Sequence, residues 1–210
     1  VIGEGVYVSI LAMSVLFYAG LFLGIGEIAN MIGVILAVPM ALHFGKKTTY
    51  IIVCAIMTVL SVCFFFMPLT PAGYVMMIIL QILISLCTGV MSPLMWSMYA
   101  DVADYSELKN GVCSTGLIFS SSSMAQKFGG ALSGAAVLWI LGTAGYDTSA
   151  MGGGEQNASA LRCLWYLMSF IPGFIALLAI AIMSRYPLTT ERTDEISIML
   201  NKYKTIKTKQ

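Results

Sequence analysis

The chain has 210 residues, of which 59% are hydrophobic and 10% are charged, and its formal net charge is +1. Soluble domains carry about 25% charged residues, so this composition excludes an ordinary soluble protein. With eleven cations against ten anions, no basic face can form for a nucleic acid, and we expect no nucleic-acid partner.

The lengths of the apolar runs indicate the fold class. Several runs reach the roughly eighteen residues that a helix needs to cross a bilayer, whereas barrel strands would alternate polar and apolar residues over about ten. We therefore predict an all-α, polytopic membrane protein that lies in the cell membrane and has the lipid bilayer as a partner. After the first apolar region, the predicted crossings are residues 49–67, 74–98, 112–141 and 161–184.

The first apolar region, residues 5–44, is too long for one crossing. As a single helix it would extend about 60 Å, which is twice the thickness of the membrane core. Hydropathy alone divides it at Gly24-Ile25-Gly26 and gives two crossings, so that the chain would have six membrane helices.

A polar segment, residues 100–111, separates two long apolar runs. Asp101 and Asp104 are one helical turn apart and share a face, which Glu107 continues. On their own, these charges indicate a solvated loop. The alternative is a set of salt bridges to another part of the protein.

Lys127 is the single charge in the apolar run 112–141 and lies close to its midpoint. An ammonium group at the bilayer centre costs roughly 2.5–3.5 kcal/mol on insertion scales, so it must face a partner or a water-filled cavity. The alternative is a lysine that snorkels to the interface, although the reach from mid-helix is poor.

Polar and small residues surround Lys127. Ser123 lies about one helical turn before Lys127 and Gln126 directly precedes it, and residues 129–134 contain two overlapping small-xxx-small pairs, which allow a neighbouring helix to approach closely. The pattern predicts a polar cavity wall in which these groups hydrogen-bond a solute or pair with a carboxylate. The alternative is a polar helix–helix contact in which the lysine is structural.

The distribution of lysine and arginine predicts the orientation. If the Lys46 turn, the polar segment and the tail, residues 185–210, share one side, nine of the eleven cations lie there. Arg162 falls on the opposite side, beside a predicted outer loop at 143–160. We therefore expect a cytoplasmic tail that forms an amphipathic helix along the membrane surface or a frayed end.

Cysteine and histidine usage argues against enzyme chemistry. The five cysteines are scattered without metal or redox spacing, and the chain has one histidine. A membrane-embedded enzyme would need clustered His, Asp or Glu within the crossings, so we expect no enzyme, no cofactor and no metal site. A purely structural membrane subunit is a further alternative, and Lys127 argues against it.

Two segments resemble a known transporter family. They are Met98-Tyr-Ala-Asp-Val-Ala-Asp-Tyr-Ser-Glu-Leu-Lys-Asn-Gly111 and Phe119-Ser-Ser-Ser-Ser-Met-Ala-Gln-Lys-Phe-Gly-Gly130. Their ADxxDYxExKxG pattern, followed by a lysine and a Phe-Gly-Gly step, is similar to the glycoside–pentoside–hexuronide:cation symporters. That family includes the melibiose carrier and belongs to the major facilitator superfamily. Gly142–Tyr146 and Tyr186–Leu188 add to the resemblance.

The resemblance implies the C-terminal half of a carrier with twelve helices, which symports a sugar, glycoside or hexuronide with sodium, lithium or protons. Its partners would be the substrate, the coupling cation and the N-terminal half, on which that cation would mainly bind. The resemblance also implies a single first crossing at 21–44, with the end of an earlier helix and an apolar outer insertion within 1–20. A lysophospholipid carrier, or another non-sugar carrier of the superfamily, is the alternative.

The resemblance further implies roles for two groups of residues. Lys127, Ser123 and Gln126 would bind the substrate, because the matching lysine helix of the family lines its substrate cavity. The polar segment would close a cytoplasmic gate. The expected gating residues are Asp101, Asp104, Tyr105, Glu107 and Lys109.

Overall fold

A computed structural model gives the architecture and describes residues 2–67, 71–146 and 157–208. The residues described form six α-helices and no strand. The helices are α1 Ile2–Phe44, α2 Lys46–Phe65, α3 Pro71–Asn110, α4 Thr115–Thr143, α5 Ala158–Ser184 and α6 Thr190–Thr208. All except α6 contain a segment long and apolar enough to cross a membrane. The predicted all-α membrane fold is therefore confirmed.

α1 continues through the glycines at which hydropathy places a break. Gly26 is helical and lies beside Gln81 and Ser85 of α3. A glycine in a membrane helix lets a neighbour approach closely, so here it serves packing and not termination. In the structure α1 is one continuous helix. Hydropathy predicts two crossings in this region, and the family resemblance implies one crossing preceded by an apolar insertion. The segment of α1 that has the length and composition of a crossing is Phe17–Phe44.

Gly45 forms the turn between α1 and α2. Its φ angle of 80° is left-handed, and its N–H donates to the carbonyl of Ala41 at 2.9 Å, as is common where a helix ends. The hydroxyl of Thr190 lies where a Cβ atom of residue 45 would be. Glycine is therefore required by the backbone conformation and by the close approach of α6.

The bundle is built from two main helix pairs, α1 with α3 and α2 with α5. Where α1 contacts α3, Gly33 and Gly89 lie against each other, and a Cβ atom on either would overlap a backbone carbonyl of the other helix. In the second pair, Trp165 Nε1 donates to the carbonyl of Phe65 at 2.9 Å. A buried apolar core lies beside the contact between α1 and α3 and consists of Ala37, Val53, Val90 and Leu94.

The polar segment is a continuation of α3 and is helical as far as Asn110. α6 packs against α3, and Ile196 and Leu200 of α6 are buried. The described part of the tail is therefore a helix docked on the protein, where the sequence left open a surface helix or a frayed end. The predicted outer loop at 143–160 lies mostly outside the described residues.

α4 is sparsely packed against the rest of the chain. Leu141 is its one buried residue, and the ring of Phe119 stacks on Trp96 of α3 with 5.9 Å between centroids. Most of the α4 surface is thus open to lipid, to water or to another polypeptide segment.

Candidate functional site

Lys127 lies near the middle of α4, and its side chain is exposed. No hydrogen bond or ion pair joins it to another described side chain. The helix is long and apolar enough to cross a membrane, so the ammonium would lie within the membrane without a partner on the described chain. Such a group requires water, a solute or an acid from elsewhere.

The exposed surface of α4 is divided into an apolar and a polar stripe. Successive residues are about 100° apart around a helix. The apolar stripe consists of Leu117, Met124, Phe128, Leu132 and Trp139, all of which are exposed. Ser123, Gln126 and Gly130 lie on the opposite side, and Lys127 is at the edge of this polar stripe. The apolar stripe suits contact with lipid, and the polar stripe suits a hydrated cavity.

The polar groups around Lys127 differ in how free they are to bind a solute. The hydroxyl groups of Ser120 and Ser122 donate to carbonyls of their own helix, at 3.1 and 2.8 Å. No hydrogen bond joins the side chains of Ser123 or Gln126 to the described residues, and Gln126 is exposed. Lys127, Ser123 and Gln126 therefore present unpaired polar groups on adjoining turns of α4.

A second cluster of charges lies where α2 begins and α3 extends. Lys46 Nζ is 2.7 Å from each carboxylate oxygen of Asp101. The side chains are 34% and 13% exposed, respectively, so solvent screens this ion pair only in part. The bridge joins the first residue of α2 to α3, and in this structure Asp101 is paired within the chain.

Lys47 joins the same cluster to α5. Its Nζ donates to the carbonyls of Ser184 and Tyr186, at 3.0 and 2.7 Å. These carbonyls lie at the C-terminal end of α5, where backbone oxygens lack helical partners and the helix dipole favours a cation. Two adjacent lysines thus connect the start of α2 to α3 and to α5.

A polar cavity of about 230 Å³ lies within this cluster and is bordered by α6. Lys46, Lys47, Asp101, Asp104, Tyr186 and Asp194 contribute to its lining. The hydroxyl of Tyr186 is buried and has no hydrogen-bond partner among the residues described. Burial raises the pKa of Tyr186 to about 12, and the nearby Asp101 carboxylate adds to the increase. A raised pKa favours the neutral phenol, so Tyr186 carries no charge at neutral pH.

The structure separates the residues predicted to form the gate. Asp101 and Asp104 line the cavity, whereas Tyr105 and Lys109 lie further along α3. Lys109 Nζ is 5.9 Å from the centre of the Tyr105 ring, within the range of a cation–π contact. Glu107, on the same extension, is half-buried.

Sequence reasoning missed the partners of the acidic residues. In the sequence, Lys46 and Lys47 contributed only to the predicted orientation, and Tyr186 contributed only to the family resemblance. One signal was present: the predicted orientation put the Lys46 turn and Asp101 on the same side of the membrane. Opposite charges confined to one side are candidates for pairing.

Comparison with known proteins identifies the family. Residues 7–190 match the family described as MFS/sugar transport protein. The chain is 30% identical over 159 residues to the inner membrane symporter YicJ of Escherichia coli (strain K12), covering 76% of the chain and 34% of the relative. It is 29% identical over 193 residues to the glucuronide carrier protein homolog of the same organism, covering 89% and 40%.

A further relative is an uncharacterized 29.9 kDa protein of Pseudescherichia vulneris. It is 35% identical over 166 residues, covering 79% of the chain and 59% of the relative. The chain therefore spans from about a third to about three fifths of the length of these three relatives.

The family match and the helices agree. Five apolar helices in the described part of the chain, together with a match over most of its length, make this a multi-pass protein of the cell membrane. The match also places the chain in a family of transporters and not of enzymes, as predicted. The chain belongs to the MFS/sugar transport protein family, and its predicted membership of the glycoside–pentoside–hexuronide:cation symporters is confirmed.

Proposed function

We propose that this chain forms the C-terminal half of a secondary active transporter, which symports a sugar, glycoside or hexuronide with sodium, lithium or protons. Its relatives include a putative glycoside/cation symporter, a glucuronide carrier homolog and an isoprimeverose transporter. These names favour a carbohydrate substrate over the lysophospholipid alternative.

The observation that carries the proposal is the unpaired ammonium of Lys127 on the polar stripe of α4. An ammonium group and an amide can donate several hydrogen bonds to sugar hydroxyls, and a hexuronide carboxylate would add a charge-assisted bond. In this proposal Lys127, Ser123 and Gln126 form one wall of the substrate cavity. The open surface of α4 would face the N-terminal half, on which the coupling cation would mainly bind.

The charge cluster supplies a candidate gate on the cytoplasmic side. Transporters of this kind move two helix bundles about a site near the membrane midplane, so contacts at the bundle ends set which side is open. The Lys46–Asp101 bridge holds the end of this bundle together, and Asp104 borders the same cavity. Tyr105, Glu107 and Lys109 on the α3 extension would contact the other half.

Ion-driven accumulation tests the proposed function. We expect the full-length protein, reconstituted in liposomes, to concentrate at least one radiolabelled glycoside, pentoside or hexuronide when a sodium, lithium or proton gradient is imposed. Dissipating that gradient with an ionophore is the control and should abolish the accumulation. If no member of such a panel accumulates, and lysophospholipid crosses the membrane instead, the sugar symport proposal is wrong.

The orientation is a separate prediction. The Lys46 turn, the polar segment and α6 meet at one end of the molecule, and cation-rich segments favour the cytoplasmic side. In intact cells, with all cysteines replaced, a cysteine at position 107 should resist an impermeant thiol reagent. A cysteine at position 150 should react with it. The reverse labelling pattern would overturn the orientation.

A further inference from the structure

Two open grooves flank Arg162 at the end of the molecule away from α6. The first has a volume of about 640 Å³ and is lined by Phe65, Met67, Leu161, Arg162, Leu164, Trp165 and Tyr166. The second, of about 490 Å³, runs along α5 as far as Ile171 and also touches Ile140 of α4. Arg162 and Tyr166 line both grooves, so one cation lies between two largely apolar surfaces.

The aromatic wall of the first groove is held in place by contacts within the protein. Trp165 uses its N–H group in the bond to Phe65, and Tyr166 stacks on the Phe65 ring with 5.8 Å between centroids. The polar atom of the indole is therefore satisfied inside the bundle, and its apolar ring borders the groove. A fixed apolar wall can accept a hydrocarbon chain without side chains having to become ordered.

Arg162 supplies the charge. It is exposed in the early part of α5, and no ion pair joins it to another described side chain. A guanidinium group matches the geometry of a phosphate and binds it with two parallel hydrogen bonds. The position suits a lipid headgroup, because α5 begins and α2 ends at this level of the membrane-spanning bundle.

We propose that Arg162 and the two grooves form a binding site for an anionic glycerophospholipid of the leaflet opposite α6. The phosphodiester pairs with the Arg162 guanidinium, and the acyl chains lie against the two grooves. This site is separate from Lys127 and the charge cluster, and it does not depend on which solute the protein transports.

Fluorescence quenching at Trp165 tests the proposal. In the full-length protein, every other tryptophan is replaced by phenylalanine and the protein is reconstituted in phosphatidylcholine vesicles. Brominated phosphatidylglycerol or brominated phosphatidylcholine is then added as the quencher. Both lipids carry the phosphodiester, but the choline ammonium of phosphatidylcholine is repelled by a guanidinium, whereas phosphatidylglycerol has a net negative charge. A basic residue near a membrane surface attracts an anionic lipid by about 1 kcal/mol, so we expect about a fivefold preference for phosphatidylglycerol.

Variants show whether the preference arises at Arg162. Arg162→Gln should remove the preference, and Arg185→Gln, which removes an exposed cation at the other end of α5, should leave it unchanged. Inorganic phosphate at millimolar concentration should not displace the lipid, because it lacks acyl chains.

Four results would overturn the proposal. Equal quenching by the two lipids in the protein that retains Arg162 would show that the charge of the headgroup is not recognised. A preference for phosphatidylglycerol that survives Arg162→Gln would show that another residue recognises the lipid. Displacement by inorganic phosphate would indicate a simple anion site. Shielding of Trp165 from both lipids would indicate that protein covers the grooves.

Discussion

Lys127→Ala is expected to lower coupled uptake by about ten- to a hundredfold while leaving the amount of protein in the membrane near normal. Hydrogen bonds to a charged group contribute about 1.5–3 kcal/mol each, and every 1.4 kcal/mol corresponds to a factor of ten. The side chain is exposed on a sparsely packed helix, so its removal leaves no cavity in the buried core. Uptake of labelled substrate, normalised to protein measured by immunoblot, is the assay.

Two further variants separate a binding role from a structural one. Lys127→Arg should only partly restore uptake, because the guanidinium is larger and holds its donors in a rigid fork. Met124→Ala, on the apolar stripe of the same helix, is the matched control and should retain near-normal uptake. Normal uptake by Lys127→Ala would exclude Lys127 from the transport site and leave it as an anchor or a helix–helix contact.

Breaking the Lys46–Asp101 bridge is expected to lower turnover several-fold with little change in substrate affinity. Asp101→Asn and Lys46→Gln each remove the ion pair; solvent reaches the Lys46 side chain, so the contribution of the bridge is about 1 kcal/mol, which corresponds to about a fivefold change. The bridge lies at the end of the bundle and not beside Lys127, so its loss should alter the balance between inward-open and outward-open states. Equilibrium binding, turnover and cysteine accessibility from each side, measured together, distinguish these effects.

Charge reversal provides the decisive comparison for the bridge. The double variant Lys46→Asp with Asp101→Lys should recover part of the lost turnover, because it re-forms the pair with opposite polarity. Asp104→Asn makes the same charge change at one turn's distance, and its effect should be smaller because Asp104 has no ion pair with a described side chain. Loss of substrate binding in Asp101→Asn, with no change in the distribution of states, would contradict the gating role.

Composition and local pattern determined the class of this protein. A chain with 10% charged residues and apolar runs of membrane length can satisfy its backbone in lipid only as helices or as a closed barrel, and the run lengths favour helices. Lys127 could be singled out for a related reason: a charge within such a run raises the free energy of membrane insertion, so it requires a partner or water. The polar segment and the lysine helix also carried a pattern that predicted the family, and the comparisons confirmed that family.

The continuity of α1 and the docking of α6 could be determined only from the tertiary structure. A glycine can either end a helix or let another helix approach, and the outcome depends on the neighbour. At Gly26 that neighbour is α3, which hydropathy does not reveal. The tail contains few apolar residues, and burial of Ile196 and Leu200 depends on the helical extension of α3 on which α6 packs.

The pairing of charges was likewise decided by packing. Lys46 and Asp101 are 55 positions apart, and they meet because α1 and α3 cross closely at Gly33 and Gly89 while α2 begins beside the extension of α3. Hydropathy predicts the crossings and the distribution of lysine and arginine predicts the orientation, so together they could place both residues on one side of the membrane. Neither could pair them, because an ion pair requires two atoms within about 4 Å of each other, and only the folded backbone sets that distance.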